Sequence, residues 1–137
     1  MARLVSYLTF DGNCAEAMTF YKTCFGGELE LNKVGEGPMA GKMPPEVKDQ
    51  IMHSRLSSGK IELMASDMMG HGELAKGNNI TLCLICESEQ ELKELFDKLS
   101  SGGKVTQPVA KEFFGWYGGF ADKFGINWML QADLPKQ

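Results

Sequence analysis

At 137 residues, 43% of them hydrophobic and 23% charged, the chain has the size and composition of one soluble globular domain that buries its core without staples. A net charge of −4 with no run of Lys or Arg excludes a phosphate-binding face, and with it nucleic acid as the main partner. No apolar run is long enough to span a bilayer, and the opening Met-Ala-Arg-Leu-Val-Ser-Tyr lacks the regions of a signal peptide, so the expected location is the cytoplasm, with no membrane partner.

Leu4 to Phe10 is apolar and β-branched and runs into Asp11-Gly12-Asn13, which predicts a strand ending in a turn. Asn13 with Glu16 three residues later has the form of a capping box, and Cys14, Ala17, Met18, Tyr21, Cys24 and Phe25 recur at helical spacing up to a Gly26-Gly27 stop. Glu28 to Val34 alternates in part and predicts a strand with one covered face. From Gly35 to Asp49 there are three glycines, three prolines, Met39 and Met43 and no period, so this is a long loop, either a lid or a surface excursion. Gln50 to Ser57 and Lys60 to Ser66, joined at Ser58-Gly59, read as a hairpin.

After a glycine-rich stretch, Asp67 to Asn79, the same order begins again. Ile80 to Cys86 is a strand, Ser88 and Glu91 repeat the capping box, Leu92, Leu95, Phe96 and Leu99 repeat the stripe, and Gly102-Gly103 repeats the stop. Val105 to Lys111, Phe114 to Phe120 and Ile126 to Gln131 supply three further strands. Asp11 and Glu87 stand 76 positions apart, Asn13 and Ser88 75, and Gly26 and Gly102 76. So regular an offset marks an internal duplication, with one β-α-β-β-β module at 1–76 and another at 77–137 in an α+β chain.

Four cysteines include a Cys-x-x-Cys pattern at Cys83 and Cys86. Residues three apart on a strand point to opposite faces, so these two cannot share an ion and read as reduced, structural thiols.

The duplication, with Phe20-Tyr21, the Gly-Gly stop, Met52-His53-Ser54, Leu63-Met64-Ala65-Ser66-Asp67 and Asp122-Lys123-Phe124-Gly125-Ile126-Asn127-Trp128, resembles the vicinal oxygen chelate superfamily, and within it the PhnB-like branch. The resemblance implies the fold shared by glyoxalases, bleomycin-resistance proteins and dihydroxybiphenyl dioxygenases: two paired modules, each curling its sheet around a pocket, usually in a homodimer. It also implies a divalent metal held by one residue from each opening strand and one from each closing strand. Those positions fall on Val5, Thr81, Glu62 and Met129, and only Glu62 is a strong ligand for a hard divalent ion. The expectation is a degenerate metal site, with no metal and no other cofactor.

Glu62 alternates with Ile61 and Leu63 and faces with Met64 and Ser66, toward the pocket that the resemblance implies or toward solvent. As a lone carboxylate in apolar surroundings it would serve as an acid or base, with His53 in the adjacent strand as its proton-transfer partner. His71, in the glycine-rich stretch, reads as a solvated loop residue. Phe113, Phe114, Trp116, Tyr117 and Phe120 are either core or pocket wall; Tyr7, Trp116 and Met129, with Val5 and Thr81, are the expected lining.

Two functions follow: a metal-free protein that binds a small, partly apolar molecule, as the bleomycin-resistance relatives do, or a glyoxalase-like lyase or isomerase, metal-dependent or using Glu62 and His53. Domains of this branch often carry the label of demethylubiquinone methyltransferases, but the chain has no strand-to-helix glycine fingerprint for a nucleoside cofactor.

Overall fold

The structure, a computed structural model, describes residues 1–38, 40–70 and 72–134, so Met39 of the candidate lid and His71 lie outside the described residues. The chain divides into two compact units, Met1–Ala75 and Lys76–Gln137. Each is a β-α-β-β-β unit, and the class is α+β.

In the first unit β1 (Ser6–Phe10) leads into α1 (Cys14–Phe25), followed by β2 (Glu28–Lys33), β3 (Ile51–Ser58) and β4 (Ile61–Asp67). The sheet runs β1-β4-β3-β2, with β1 parallel to β4 and the other pairs antiparallel. Leu8, Phe10, Leu56, Leu63 and Ala65 are buried on the face that α1 covers with Cys14, Ala17, Met18 and Tyr21. Each large side chain buried there contributes about 2 kcal/mol.

The capping box expected at Asn13 does not form, because Asn13 makes no side-chain bond to the helix. Asp67, 2% exposed at the end of β4, accepts the backbone N–H groups of Gly12 (2.9 Å), Cys14 (3.0 Å) and Ile51 (2.8 Å) instead. One buried carboxylate thus satisfies the start of α1 and the head of β3, which no local pattern announces.

The stretch after β2 is not patternless. It folds into three 3₁₀ turns, Val34–Glu36, Ala40–Lys42 and Pro45–Val47, and Val34 and Val47 enter the core. Hydrogen bonds from Val34 N–H to the Gln50 carbonyl and from Gly35 N–H to the Lys48 carbonyl, 2.9 Å each, tie its two ends together.

In the second unit β5 (Leu82–Cys86) and α2 (Glu89–Ser100) precede β6 (Lys104–Glu112), β7 (Gly115–Ala121) and β8 (Asn127–Asp133), in the sheet order β5-β8-β7-β6. Ser88 caps α2, accepting the Glu91 N–H at 3.1 Å, while the Glu91 carboxylate reaches back to the Glu87 N–H at 2.9 Å. Leu92, Phe96 and Leu99 meet Phe120, Trp128 and Leu130 in the core, where Phe96 and Phe120 pack edge to face at 5.0 Å. A second buried carboxylate, Asp122, accepts the N–H groups of Phe124 (2.9 Å) and Ile126 (3.0 Å) and the indole N–H of Trp128 (2.8 Å), closing the β7–β8 turn.

Candidate functional site

Strand alternation gives each sheet one face under its helix and one open face, and the open faces carry the residues of interest. On the first sheet β1 and β4 pair Ser6 with Leu63 and Tyr7 with Met64, so Val5, Tyr7, Glu62 and Met64 share the open face. Arg55 lies across from Met64, and Glu30 across from Arg55.

Glu62 is not the lone carboxylate in apolar surroundings that its strand suggests. Both Arg3 and Arg55 hold it: Arg3 through Nη1 to Oε2 and, at 3.3 Å, Nη2 to Oε1, and Arg55 through Nε to Oε1 at 2.9 Å. The Glu62 side chain is 18% exposed, against 63% and 44% for the two arginines, so the cluster is half-sunk at the carboxylate and wet at the guanidiniums.

Nor does His53 partner Glu62. Ser54 pairs with Ala65, so His53 sits about four residues, roughly 13 Å, along the strands from Glu62. His53 Nδ1 is instead 3.3 Å from the Tyr7 hydroxyl, and the two rings lie 5.9 Å apart. The expected acid–base pair is therefore split between two separate contacts. Beside His53, a hollow of about 420 Å³ is lined by Asn32, Lys33, Glu36, Pro38 and Met52.

On the second sheet β7 and β8 pair Gly119 with Met129 and Tyr117 with Gln131. Tyr117, Gly119, Asn127 and Met129 share the open face, while Trp116 and Phe120 turn to the other. Trp116 stands under Lys93 of α2, with the ammonium 4.7 Å from the ring centroid. This removes Trp116 from the lining and puts Tyr117 there, since alternation separates the two neighbours but does not say which one turns inward. Phe114 stacks at 5.7 Å on Tyr117, and Phe113, 91% exposed, caps the β6–β7 hairpin.

Between these strands the open face holds a hollow of about 340 Å³, bordered by Thr81, Thr106, Gln107, Tyr117, Asn127 and Met129, with Gly118 and Gly119 at its floor. Of the residues expected to line a site in this unit, Thr81 and Met129 border the hollow. A Cβ on Gly119 would meet nothing closer than 3.4 Å, so the missing side chain leaves room that an ordinary residue would fill. Asn127 Nδ2 bonds the carbonyls of Gly77 (2.8 Å) and Ile80 (3.3 Å) and fixes the incoming chain at the rim.

The strand registers also correct the ligand count. Ser6 faces Leu63 in the first unit, and Leu82, 76 positions on, faces Trp128 in the second. The counterpart of Glu62 is therefore Asn127, and Met129 is the counterpart of Met64. The equivalent positions are Val5 and Glu62 in the first unit and Thr81 and Asn127 in the second, and both Glu62 oxygens already take guanidinium protons. Neither pair brings together the several anionic or imidazole donors that anchor a hard divalent ion. Within either unit, no three His, Cys, Asp or Glu side chains gather among the described residues.

Cys83 is exposed and Cys86 buried, on opposite faces of β5. Burial pushes the Cys86 thiol up to about 11, with help from the nearby Glu91 and Cys83, and burial likewise raises that of Cys83. Burial also lifts Cys14 to about 11, against a lowering hydrogen bond from Ser54.

A family model described as 3-demethylubiquinone-9 3-methyltransferase matches residues 2–131. The chain is similar to protein PA1353 from Pseudomonas aeruginosa, with 36% identity over 97% of this chain and 98% of that one and a TM-score of 0.87. It also resembles a PhnB protein from Bacillus cereus, described as a 3-demethylubiquinone-9 3-methyltransferase, with 24% identity over 96% and 99% of the two chains and a TM-score of 0.75. Its fold is shared by a glyoxylase/bleomycin resistance protein/dioxygenase domain from Frankia sp. EAN1pec, with 16% identity over 100% and 96% of the chains and a TM-score of 0.69.

Proposed function

The chain belongs to the 3-demethylubiquinone-9 3-methyltransferase family, the PhnB-like branch of the vicinal oxygen chelate superfamily, and from that premise we propose that it binds a small, partly apolar molecule without a catalytic metal. The observation that carries this reading is the hollow of about 340 Å³ on the open face of the second sheet. Its size lies within the range of small-molecule sites, and it joins the apolar Met129 and aromatic Tyr117 to a few hydrogen-bonding groups.

The absence of a metal is supported by donor chemistry. Val5 offers no donor, Thr81 and Asn127 offer only neutral oxygens, and Glu62 is neutralised by Arg3 and Arg55. Methyl transfer does not enter the reading, because β1 passes into α1 through Asp11-Gly12-Asn13 and not through a glycine-rich cradle for a nucleoside cofactor. A homodimer in the cytoplasm completes it, supported by the exposed Leu4, Ile80 and Ile85 and by four cysteines outside any disulfide.

The test is a screen of small charged and uncharged aromatic compounds, read by amide chemical shifts in the wild-type protein and in Gly119→Leu. Shifts at Gly118, Gly119 and Met129 that vanish in Gly119→Leu support the reading; no compound shifting these amides overturns it. For the metal, a stoichiometric divalent ion in untagged protein purified without chelator, whose removal changes binding, overturns the metal-free part.

A further inference from the structure

Resting on that reading of the second hollow, we infer that its ligand is uncharged: a molecule with a flat apolar part and neutral hydrogen-bonding groups such as a carboxamide. The lining comprises eleven residues, and none of them carries a charge at neutral pH. With 23% of the chain charged, eleven residues drawn at random would carry about 2.5 charged ones. The hollow in the first unit, of similar size, has Lys33, Glu36 and His53 on its walls.

The polar groups of the second hollow are hydroxyls and carboxamides. Thr106, Thr81 and Tyr117 supply hydroxyls, and Gln107, Asn78 and Asn127 carboxamides, so the lining donates and accepts hydrogen bonds without a counter-charge. The floor is backbone: Gly118 and Gly119 are buried and bring no side chain, and Phe120 and Trp128 turn theirs to the face under α2. An ion entering this hollow loses hydration with no opposite charge to replace it, whereas a neutral amide exchanges its water contacts for equivalent ones.

Gln107 deepens the selectivity. Its Nε2 already donates to the Pro108 carbonyl at 3.0 Å, which leaves the side-chain oxygen as the acceptor for an incoming group. The β6–β7 register shifts around Gln107, where the regular pairing is broken, and this frees the side chain of a half-buried strand residue for the hollow. The lining thus matches a neutral donor group against an apolar ring.

Benzamide, benzoate and benzamidinium share one shape and differ in charge, and they are the probes. Each is titrated into the full chain at neutral pH, with amide shifts of Gly118, Gly119 and Met129 as the readout and Gly119→Leu and Gly119→Ala as variants. The expected result is benzamide bound at least tenfold more tightly than either ion, with binding weakened in Gly119→Ala and lost in Gly119→Leu. Benzoate or benzamidinium binding at these amides as tightly as benzamide overturns the inference and leaves the binding reading standing. If benzamide shifts persist in a folded Gly119→Leu, its site is elsewhere and the inference fails. If none of the three shifts these amides the inference falls, and the binding reading falls with it only when the wider screen is also empty.

Discussion

A Cβ built on Gly27 would lie 2.2 Å from the carbonyl oxygen of Ser57, and one on Gly103 would lie 2.2 Å from that of Ala121. The second glycine of each pair is therefore where the chain leaving a helix presses on the backbone of a neighbouring strand. Gly26 shares a positive φ with Gly27, 74° against 87°, but has open space around its missing side chain. Gly27→Ala and Gly103→Ala are expected to lose about 2–4 kcal/mol in urea unfolding, and Gly26→Ala only about 1 kcal/mol. Equal losses at Gly26 and Gly27 would contradict the close-approach argument.

Asp67 gives a second prediction. Its carboxylate accepts three backbone N–H groups, and Asp67→Ala leaves the buried ones without a partner. The expected cost is about 3 kcal/mol, with faster amide exchange at Cys14 and Ile51. Asn13→Ala, by contrast, removes no cap bond and is expected to stay within about 0.5 kcal/mol of wild type.

The cysteines predict an order of reactivity and a pH dependence. Cys83 is exposed while Cys14, Cys24 and Cys86 are buried, so iodoacetamide labels Cys83 first, as read by peptide mass spectrometry. Cys14 and Cys86 hold their protons in the folded state up to about 11, against an ordinary thiol value of 9.0. Below pH 9 both states are protonated and the contribution is fully present. As pH rises from 9 to 11 the unfolded chain gives up protons that the folded chain retains, and stability falls. A melting temperature flat across that window, after Cys14→Ala and Cys86→Ala are compared with wild type, would remove this account.

Arg55 and Glu62 form an ion pair open to water on the arginine side. A double-mutant cycle with Arg55→Ala and Glu62→Gln is expected to give a coupling of about 1 kcal/mol or less, shrinking as salt is added. A coupling of several kcal/mol that is insensitive to salt would mean that the carboxylate is far more enclosed than its 18% exposure indicates.

The repeat, the two helices and the order of the strands were legible in the sequence because each rests on local periodicity and on the 76-residue offset. Strand ends moved by one or two residues, as at Val5 and Thr81, which stand just outside β1 and β5. What could not be read there depends on partners far apart in the chain. Asp67 replaces Asn13 as the cap of α1 from 53 residues away, and Arg3, ahead of the first strand, reaches Glu62 across 59. Trp116 and Tyr117 exchange roles because alternation gives opposite directions without an origin. The counterpart of Glu62 moves from Met129 to Asn127 because the pairing with the opening strands, Ser6 with Leu63 and Leu82 with Trp128, sets the alignment of the closing strands, and that pairing is not written in either closing strand itself.

Both tryptophans, Trp116 and Trp128, belong to the second unit, and the first has only tyrosines, Tyr7 and Tyr21. Tryptophan emission therefore reports on residues 76–137 alone, with Trp128 dark to solvent and anchored to Asp122, and Trp116 tuned by Lys93. Set against far-ultraviolet circular dichroism, which sees both halves, that emission gives the duplicated chain an optical asymmetry. Coincident transitions would mean that the two copies melt as one, and separated transitions would date their loss one after the other.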